Sequence, residues 1–364
     1  MAQIDEILMQ AAKVNASDLH IGENTVPLVR IYGNLKPLYE MADTAQGNID
    51  FWKIVDSPCA SQGVRFSVAE AQSLFPDKES RVIRLFRPIM TEQQRFILKD
   101  KGECDFAYAL PSGSRFRINL YRSMGALNAA IRIIPDRIPS WQELQIPEVM
   151  GRLTELKSGL VLITGVTGSG KSTTMAAILN EISRNRAVHI LTLEDPVEFK
   201  FESERSLIHQ REIGCDSRSF ASALRAALRE DPDVIMVGEL RDTETTAIAV
   251  TAAETGHLVF ATLHTRNAVE TLNRIIDVFP EQQQKQIRIQ LAGSLQAVVS
   301  QQLLPDKRGK RTVAFEIMIV TPALRNLIRE GKTQQMDSYI QTGAQYGMQT
   351  MEEAVAKLKR EGKI

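Results

Sequence analysis

The stretch Leu160-Val161-Leu162-Ile163-Thr164-Gly165-Val166-Thr167-Gly168-Ser169-Gly170-Lys171-Ser172-Thr173 decides the fold. Gly165 to Ser172 complete a G-x-x-x-x-G-K-[ST] phosphate-binding loop. The run before it is short, apolar and partly β-branched, which predicts a buried strand. Ser172 to Leu179 carries good helix formers at apolar spacing, which predicts a helix. Glycines let backbone N–H groups curl around phosphate oxygens, and the helix N-terminus adds partial positive charge there. Lys171 is expected to reach the β- and γ-phosphates and the Ser172 hydroxyl to ligate Mg²⁺. The predicted nucleotide contacts are thus Gly165, Val166, Thr167, Gly168, Ser169, Gly170, Lys171, Ser172 and Thr173.

Outward from the loop, the chain divides in two. From about residue 140, helices alternate with short apolar strands at 160–164, 188–193, 233–238, 258–263 and 312–319. That alternation predicts a parallel sheet covered by helices. Residues 281–299 and 322–362 read as mostly helical. Residues 1–134 instead predict an α+β unit with an antiparallel sheet. It comprises a helix over 4–14, strands at 19–21, 26–31, 105–110, 115–121 and 128–134, and a hairpin turn at Pro111–Ser114. Helices are predicted near Val68–Leu74 and Thr91–Lys99, while residues 42–80 fit least well and read as an inserted loop or helical element. Pro135 and Pro139 bracket a linker over 135–139.

Composition narrows the function classes. In 364 residues, 44 Lys and Arg balance 44 Asp and Glu, which argues against a strongly basic nucleic-acid surface. Cys59, Cys104 and Cys215 are far apart with no C-x-x-C pair, which excludes a four-cysteine zinc site within one chain and suits a reducing cytoplasm. No apolar run approaches the roughly 18 residues of a membrane span, and the acidic N-terminus lacks a basic leader.

Four constellations carry chemistry. Glu194-Asp195-Pro196-Val197-Glu198 follows a strand, where open α/β sheets bind ligands. Carboxylates there suit Mg²⁺ or an attacking water, and an acidic surface loop is the plainer alternative. The strand Val234–Val237 ends in Gly238-Glu239, with Gly238 where an acid is usual, so Glu239 is the candidate for the Mg²⁺ shell, usually through water. His257 and His264 bracket the strand 258–263, either as structural residues or with one sensing the γ-phosphate. Arg115, Arg117, Arg122 and Arg132 lie on adjacent strands of the first unit. They are either solvated or offered to triphosphate oxygens as arginine fingers are. Arg225 and Arg229, one helical turn apart, read as solvated helix charges.

Together these residues resemble the secretion ATPases of type II secretion and type IV pili. Within that superfamily the chain resembles the PilT group of pilus retraction ATPases. The N-terminal Ala16-Ser17-Asp18-Leu19-His20, the absence of a long leading domain and of a four-cysteine motif, and Ala323-Leu324-Arg325-Asn326-Leu327-Ile328-Arg329-Glu330 carry that likeness. Gln341-Thr342-Gly343 and Gly347-Met348-Gln349-Thr350 extend it. Pro322 suits a helix start, with Ala323, Leu324, Leu327 and Ile328 on an apolar face and Arg325, Asn326, Arg329 and Glu330 on a polar one.

The resemblance implies a RecA-like phosphate-loop ATPase core, an N-terminal PAS-like α+β domain and a hexameric ring. It implies a cytoplasmic protein, peripheral at the inner membrane, that uses ATP and Mg²⁺. Expected partners are other copies of itself, the inner-membrane pilus platform protein and a second retraction ATPase, without zinc or direct nucleic-acid contact. Glu198 matches the general base, Glu239 the Mg²⁺-side acid, and His257 and His264 the two box histidines, with Glu194 and Asp195 completing the acidic box. Arg117 and Arg132 match arginines that reach nucleotide across domains, and Arg325, Asn326 and Arg329 are expected to couple hydrolysis to retraction. Departures are the longer 42–80 segment, Ala261 where glycine is common, and Arg266 and Asn273 in place of Asn and Asp. The competing readings are an ATPase of a related secretion or DNA-transfer system and a non-enzymatic nucleotide-binding ring subunit.

Overall fold

The computed structural model describes residues 3–23, 25–31, 33–38, 80–135, 137–307 and 311–364. The expectations for 42–79, including the helix near Val68–Leu74, lie outside the described residues. Contacts divide the chain into two compact units, Met1–Asp136 and Arg137–Ile364.

The first unit opens with α1 (Gln3–Lys13), which buries Ile4, Ile7, Leu8 and Ala11 at the three-to-four spacing of one helical face. Strands β1 (Asp18–Gly22), β2 (Thr25–Ile31) and β3 (Asn34–Pro37) follow. Helices α2 (Arg81–Phe86) and α3 (Glu92–Lys101) precede β4 (Glu103–Ala109), β5 (Arg115–Ser123) and β6 (Ala126–Ile134). The sheet runs β3-β2-β1-β6-β5-β4, antiparallel throughout. Thr91 and Gln94 form a capping box at the start of α3, and Gly102 ends it in the left-handed conformation. The β4–β5 hairpin closes where the Leu110 amide donates to the Ser114 carbonyl at 2.8 Å. Along β5, Phe116, Ile118 and Leu120 are fully buried, so alternation turns Arg115 and Arg117 to the other face. Strand β3 and helix α2 were not anticipated from the sequence; their short segments carry little periodicity.

The second unit is a doubly covered α/β layer. Strand β7 (Gly159–Thr164) leads into α4 (Lys171–Asn185), followed by β8 (His189–Glu194), β9 (Leu207–Glu212), α5 (Phe220–Ala227) and β10 (Val234–Val237). Next come α6 (Thr243–Glu254), β11 (Leu258–Leu263), α7 (Ala268–Asp277), α8 (Glu281–Ser294), β12 (Leu295–Pro305) and β13 (Arg311–Ile319). Helices α9 (Pro322–Glu330), α10 (Met336–Gln341) and α11 (Met351–Arg360) complete the chain. The sheet order is β13-β12-β7-β11-β10-β8-β9. All pairings are parallel except β12 with β13. Strands β7, β10 and β11 are buried at every position, as expected of parallel strands covered on both faces. Alternate residues feed two cores: Leu160, Leu162, Val259 and Ala261 point to one, and Val161, Ile163 and Phe260 to the other.

Three sequence expectations need correction here. Residues 295–299, read as helix, open strand β12: helix α8 passes directly into the strand at Ser294–Leu295, and Gly293 just before the junction does not by itself read as a helix stop. Strand β9 went unread, since Leu-Ile-His-Gln-Arg-Glu is an edge strand with no apolar run. Arg229 lies beyond the end of α5, so it does not share a helical face with Arg225, whose guanidinium pairs with Glu244.

Phe260 packs at zero exposure in the central strand. Truncation to Ala is expected to cost about 3–5 kcal/mol of stability, lost transfer free energy plus a cavity, read from urea denaturation.

Candidate functional site

Strand order brings the site together. Strands β7, β11, β10 and β8 are neighbours and parallel, so the segments following them emerge at one edge. These segments are the phosphate loop, His264, Gly238-Glu239 and the acidic box. In the loop, Gly165, Gly168 and Gly170 adopt φ of 146°, 78° and 90°, a region that only glycine enters freely. Gly170 caps α4, so the helix starts at Lys171 with its free N–H groups turned to the loop.

Lys171 is buried, and its ammonium donates to the carbonyls of Gly165 at 2.8 Å and Val166 at 3.2 Å. It also lies 3.4 Å from His264 Nδ1. Burial pushes the Lys171 pKa down, and the charges of Glu239 and Glu198 oppose that shift. His264 Nδ1 is also 3.3 Å from the Thr167 hydroxyl, and its Nε2 is 3.4 Å from Glu239 Oε1. An ammonium can only donate, so Nδ1 accepts and Nε2–H points to the Glu239 carboxylate. Arg241 Nε donates to the second Glu239 oxygen at 2.7 Å. A chain of polar contacts thus links Lys171, His264, Glu239 and Arg241.

Gly238 has a packing reason. Its N–H donates to the Leu193 carbonyl at 2.8 Å, and a Cβ there would stand 3.1 Å from that same oxygen. The close approach of β10 to β8 therefore moves the acid one residue on, to Glu239.

The acidic box divides into buried and exposed parts. Glu194 is buried; it accepts from Thr192 Oγ1 at 2.6 Å, Gln210 Nε2 at 3.1 Å and the Glu198 amide at 3.4 Å. Burial is the main cause pushing its pKa up. Asp195 and Glu198 are exposed. Glu194 thus braces the loop that presents Glu198. Gln210 on β9 completes the brace, donating to the Phe199 carbonyl at 2.7 Å and accepting from the Phe201 amide at 3.0 Å. Sequence reading missed Gln210 because it missed β9.

Other predicted residues lie elsewhere. His257 precedes β11, at the opposite end of the strand from His264. Its Nδ1 lies 3.0 Å from the Ala252 carbonyl, and its own carbonyl accepts from Gly159 at the start of β7. Within one chain the two histidines bracket the strand, as their spacing in the sequence placed them, with His264 at the phosphate loop. In the first unit, Arg117 and Arg132 are directly opposed on β5 and β6, in one cross-sheet row with Asp18 and Arg30. Arg132 Nε lies 3.2 Å from Asp18, and Arg117 Nε 3.9 Å from Asp105.

Arg325 departs from the exposed face expected of it. It is half-buried, and its guanidinium donates to the carbonyls of Ala292 at 2.7 Å and Gly293 at 2.8 Å and to Gln296 Oε1 at 3.2 Å. Those are unsatisfied acceptors at the end of α8, so Arg325 is that helix's C-terminal cap. Its place on the flank of α9, between the buried Leu324 and Ile328 and the solvent, lets the long side chain reach back. Asn326 bonds Glu330 at 2.8 Å, and Arg329 is exposed.

The phosphate loop, its strand and helix, and the acid and histidine at the same sheet edge define a phosphate-loop nucleotide-binding protein with an α/β core. Residues 130–362 match the type II/IV secretion system protein family. The chain belongs to that family. It is 42% identical over 361 residues to the type IV pilus retraction ATPase PilT of Pseudomonas aeruginosa, covering 99% of this chain and 95% of that one. It is 50% identical over 277 residues to a twitching motility protein of Neisseria gonorrhoeae, covering 76% and 74%. Among solved structures, the pilus retraction motor PilT with bound ADP superposes with a TM-score of 0.80 at 42% identity, covering 99% of this chain and 93% of that one. The antiparallel α+β unit ahead of a phosphate-loop core is the architecture the resemblance implied.

Two outcomes follow from this geometry. Arg325→Ala should destabilise the second unit by about 0.5–1.5 kcal/mol, the net worth of part-buried hydrogen bonds to carbonyls that water can partly replace, whereas Arg329→Ala should stay within about 0.5 kcal/mol; chemical denaturation separates them. The folded pKa of Glu194 lies above its ordinary 4.5. The stability of its neutral form is therefore present below that value and lost as pH rises through the folded one. Glu194→Gln should gain stability relative to the parent as pH rises above 4.5, read from urea denaturation at a series of pH values.

Proposed function

We propose that this protein is an ATP-hydrolysing motor that powers retraction of a type IV pilus, and so twitching motility. The observation that carries the reading is the coincidence of a complete phosphate loop, with its Lys171–His264–Glu239 chain, and a likeness to the PilT retraction motor along the whole chain. The loop suits nucleotide: three left-handed glycines, the N-terminus of the fifteen-residue helix α4 and a buried ammonium converge there. Mg²⁺ also fits, because it keeps most of its waters and takes few protein ligands. Ser172 in the first turn of α4 and Glu239, through water, would hold it. When bound there, Mg²⁺ would supply charge neutralisation for the phosphates.

The remaining steps belong to the chain. Lys171 leaves the Gly165 and Val166 carbonyls for the β- and γ-phosphates. Glu198, held in place by Glu194 beneath it, orients or deprotonates the attacking water. His264, freed from Lys171, reports loss of the γ-phosphate to Glu239. Most of the catalysis is positioning and electrostatics. Arg117 and Arg132 are exposed and serve as the arginines that reach nucleotide from the first unit. Residues 135–139 act as the linker about which the two domains rotate. The working form is a homohexameric ring in the cytoplasm, docked on the inner-membrane pilus platform and cooperating with a second retraction ATPase. Among the described residues, no helix is long and apolar enough to cross a membrane. Asn326 and Arg329, exposed on α9, couple hydrolysis to pilus disassembly.

The test is enzymatic and genetic. Lys171→Ala and Glu198→Gln should each lower ATP turnover by about a hundredfold or more, and deletion of the gene should leave cells hyperpiliated and immotile. Near-normal turnover in either variant overturns the site assignment, and unchanged piliation overturns the retraction role.

A further inference from the structure

The strand that sequence reading mistook for helix carries a residue that nothing above uses. The β7–β12 register ends at Thr164 opposite Ser300. Gln301 is the next residue, level with the start of the phosphate loop. It is 2% exposed, and its Nε2 donates to the Ser169 carbonyl at 2.8 Å. The loop backbone approaches it closely. A Cβ on Gly165 would stand 2.5 Å from the Gln301 carbonyl, and a Cβ on Gly170 would stand 3.3 Å from Gln301 Nε2. Beneath it, a buried hydroxyl bond from Thr164 to Ser300 at 2.8 Å ties the two strands together.

We infer that Gln301 is a positioning residue for the phosphate loop, holding the Ser169 carbonyl back so that the loop's N–H groups face the nucleotide phosphates. The inference rests on the proposal that this loop seats nucleotide. Three loop carbonyls have side-chain donors: Gly165 and Val166 from Lys171, and Ser169 from Gln301. The first two bonds are temporary, since Lys171 must leave them to meet phosphate. The third involves no group the nucleotide needs, so it persists in both states. Without it, the Ser169 carbonyl is either stranded in a buried setting or free to swing toward the phosphates, where its lone pairs repel them. Each alternative weakens nucleotide binding.

A carbonyl only accepts, so the anchor must donate. That fixes the test. Gln301→Leu keeps the volume and removes the donor. Gln301→Glu keeps the shape, cannot donate as a carboxylate, and can donate as the protonated acid that burial favours. Binding of N-methylanthraniloyl-ADP is measured by fluorescence for the parent and both variants from pH 8 to pH 5.5. Lys171→Ala marks complete loss. Gln301→Leu is expected to raise Kd about tenfold, the consequence of one stranded buried acceptor. Gln301→Glu is expected to bind more weakly than Gln301→Leu at pH 8, where its carboxylate repels phosphate, and more tightly than it at pH 5.5, where the neutral acid donates. Loss of charge alone would bring Gln301→Glu level with Gln301→Leu but not past it.

Binding by Gln301→Leu within twofold of the parent overturns the inference, as does a Gln301→Glu that never binds more tightly than Gln301→Leu across the range. Should Gln301→Leu fail to fold, Gln301→Met takes its place as the variant of similar volume without a donor, and the same two comparisons decide. Failure of the parent itself to bind the probe would defeat the nucleotide reading instead, so the two failures are distinct.

Discussion

The parallel register of β7 with β11 governs everything at the ligand edge. Leu258 lies opposite Gly159 and Leu263 opposite Thr164, so both strands end level. The next residue on one is Gly165, which opens the phosphate loop, and on the other it is His264. This register, with no long-range loop or flexible tether, brings Lys171 and His264 within 3.4 Å. Strand β10 pairs with β11 through Val237 and Ala261, which sets Glu239 on the far side of the same histidine. A slip of one residue would turn the alternating cores inside out. The two buried faces therefore enforce the register, and the polar chain at the edge inherits its geometry from apolar packing.

Much of this was legible because it was written in apolar runs. The strands over 160–164, 258–263 and 233–238 announce themselves by composition, and the loop by its glycines and lysine. What escaped was written in other terms. Strand β9 lies at the sheet edge, and its two apolar residues are followed by four polar ones, so it lacks a buried run. Yet it supplies Gln210, which braces the acidic box. Strand β12 follows α8 without an intervening loop, and the single glycine there, Gly293, does not by itself mark a stop. With it went Gln301 and the staple to Ser169. The histidine pair illustrates a further limit. A strand with histidine at each end looks symmetrical in sequence, but its ends lie on opposite edges of the sheet and face different surroundings.

The Ala323–Glu330 segment shows how a motif can divide its labour. Amphipathic spacing placed Leu324, Leu327 and Ile328 inward and Pro322 at the helix start, while Ala323, read on the same apolar face, is exposed at the first turn. Spacing could not say that Arg325 would reach sideways, because its partners are main-chain carbonyls of another helix and main-chain groups leave no trace in composition. The later Gly347–Thr350 stretch is similarly architectural. Gln349 forms a bridge with Ile317 and donates to the Phe315 carbonyl at 2.7 Å, and Thr350 caps α11. Resemblance identified these residues as a group, and geometry separates those that clasp the fold from those left facing solvent.

The unbroken passage from α8 into β12 has a mechanical meaning. Ordinary connections contain a few residues whose dihedral angles absorb small displacements, as slack in a rope absorbs a pull. Between Ser294 and Leu295 there is none. Arg325 grips the helix side of the joint through Ala292 and Gly293 and the strand side through Gln296, so the two elements are clamped like a spliced rod. A rod of this kind conveys axial motion with little loss in a close-packed interior. Its joint is held by the surface helix α9, and its strand half passes alongside the phosphate loop.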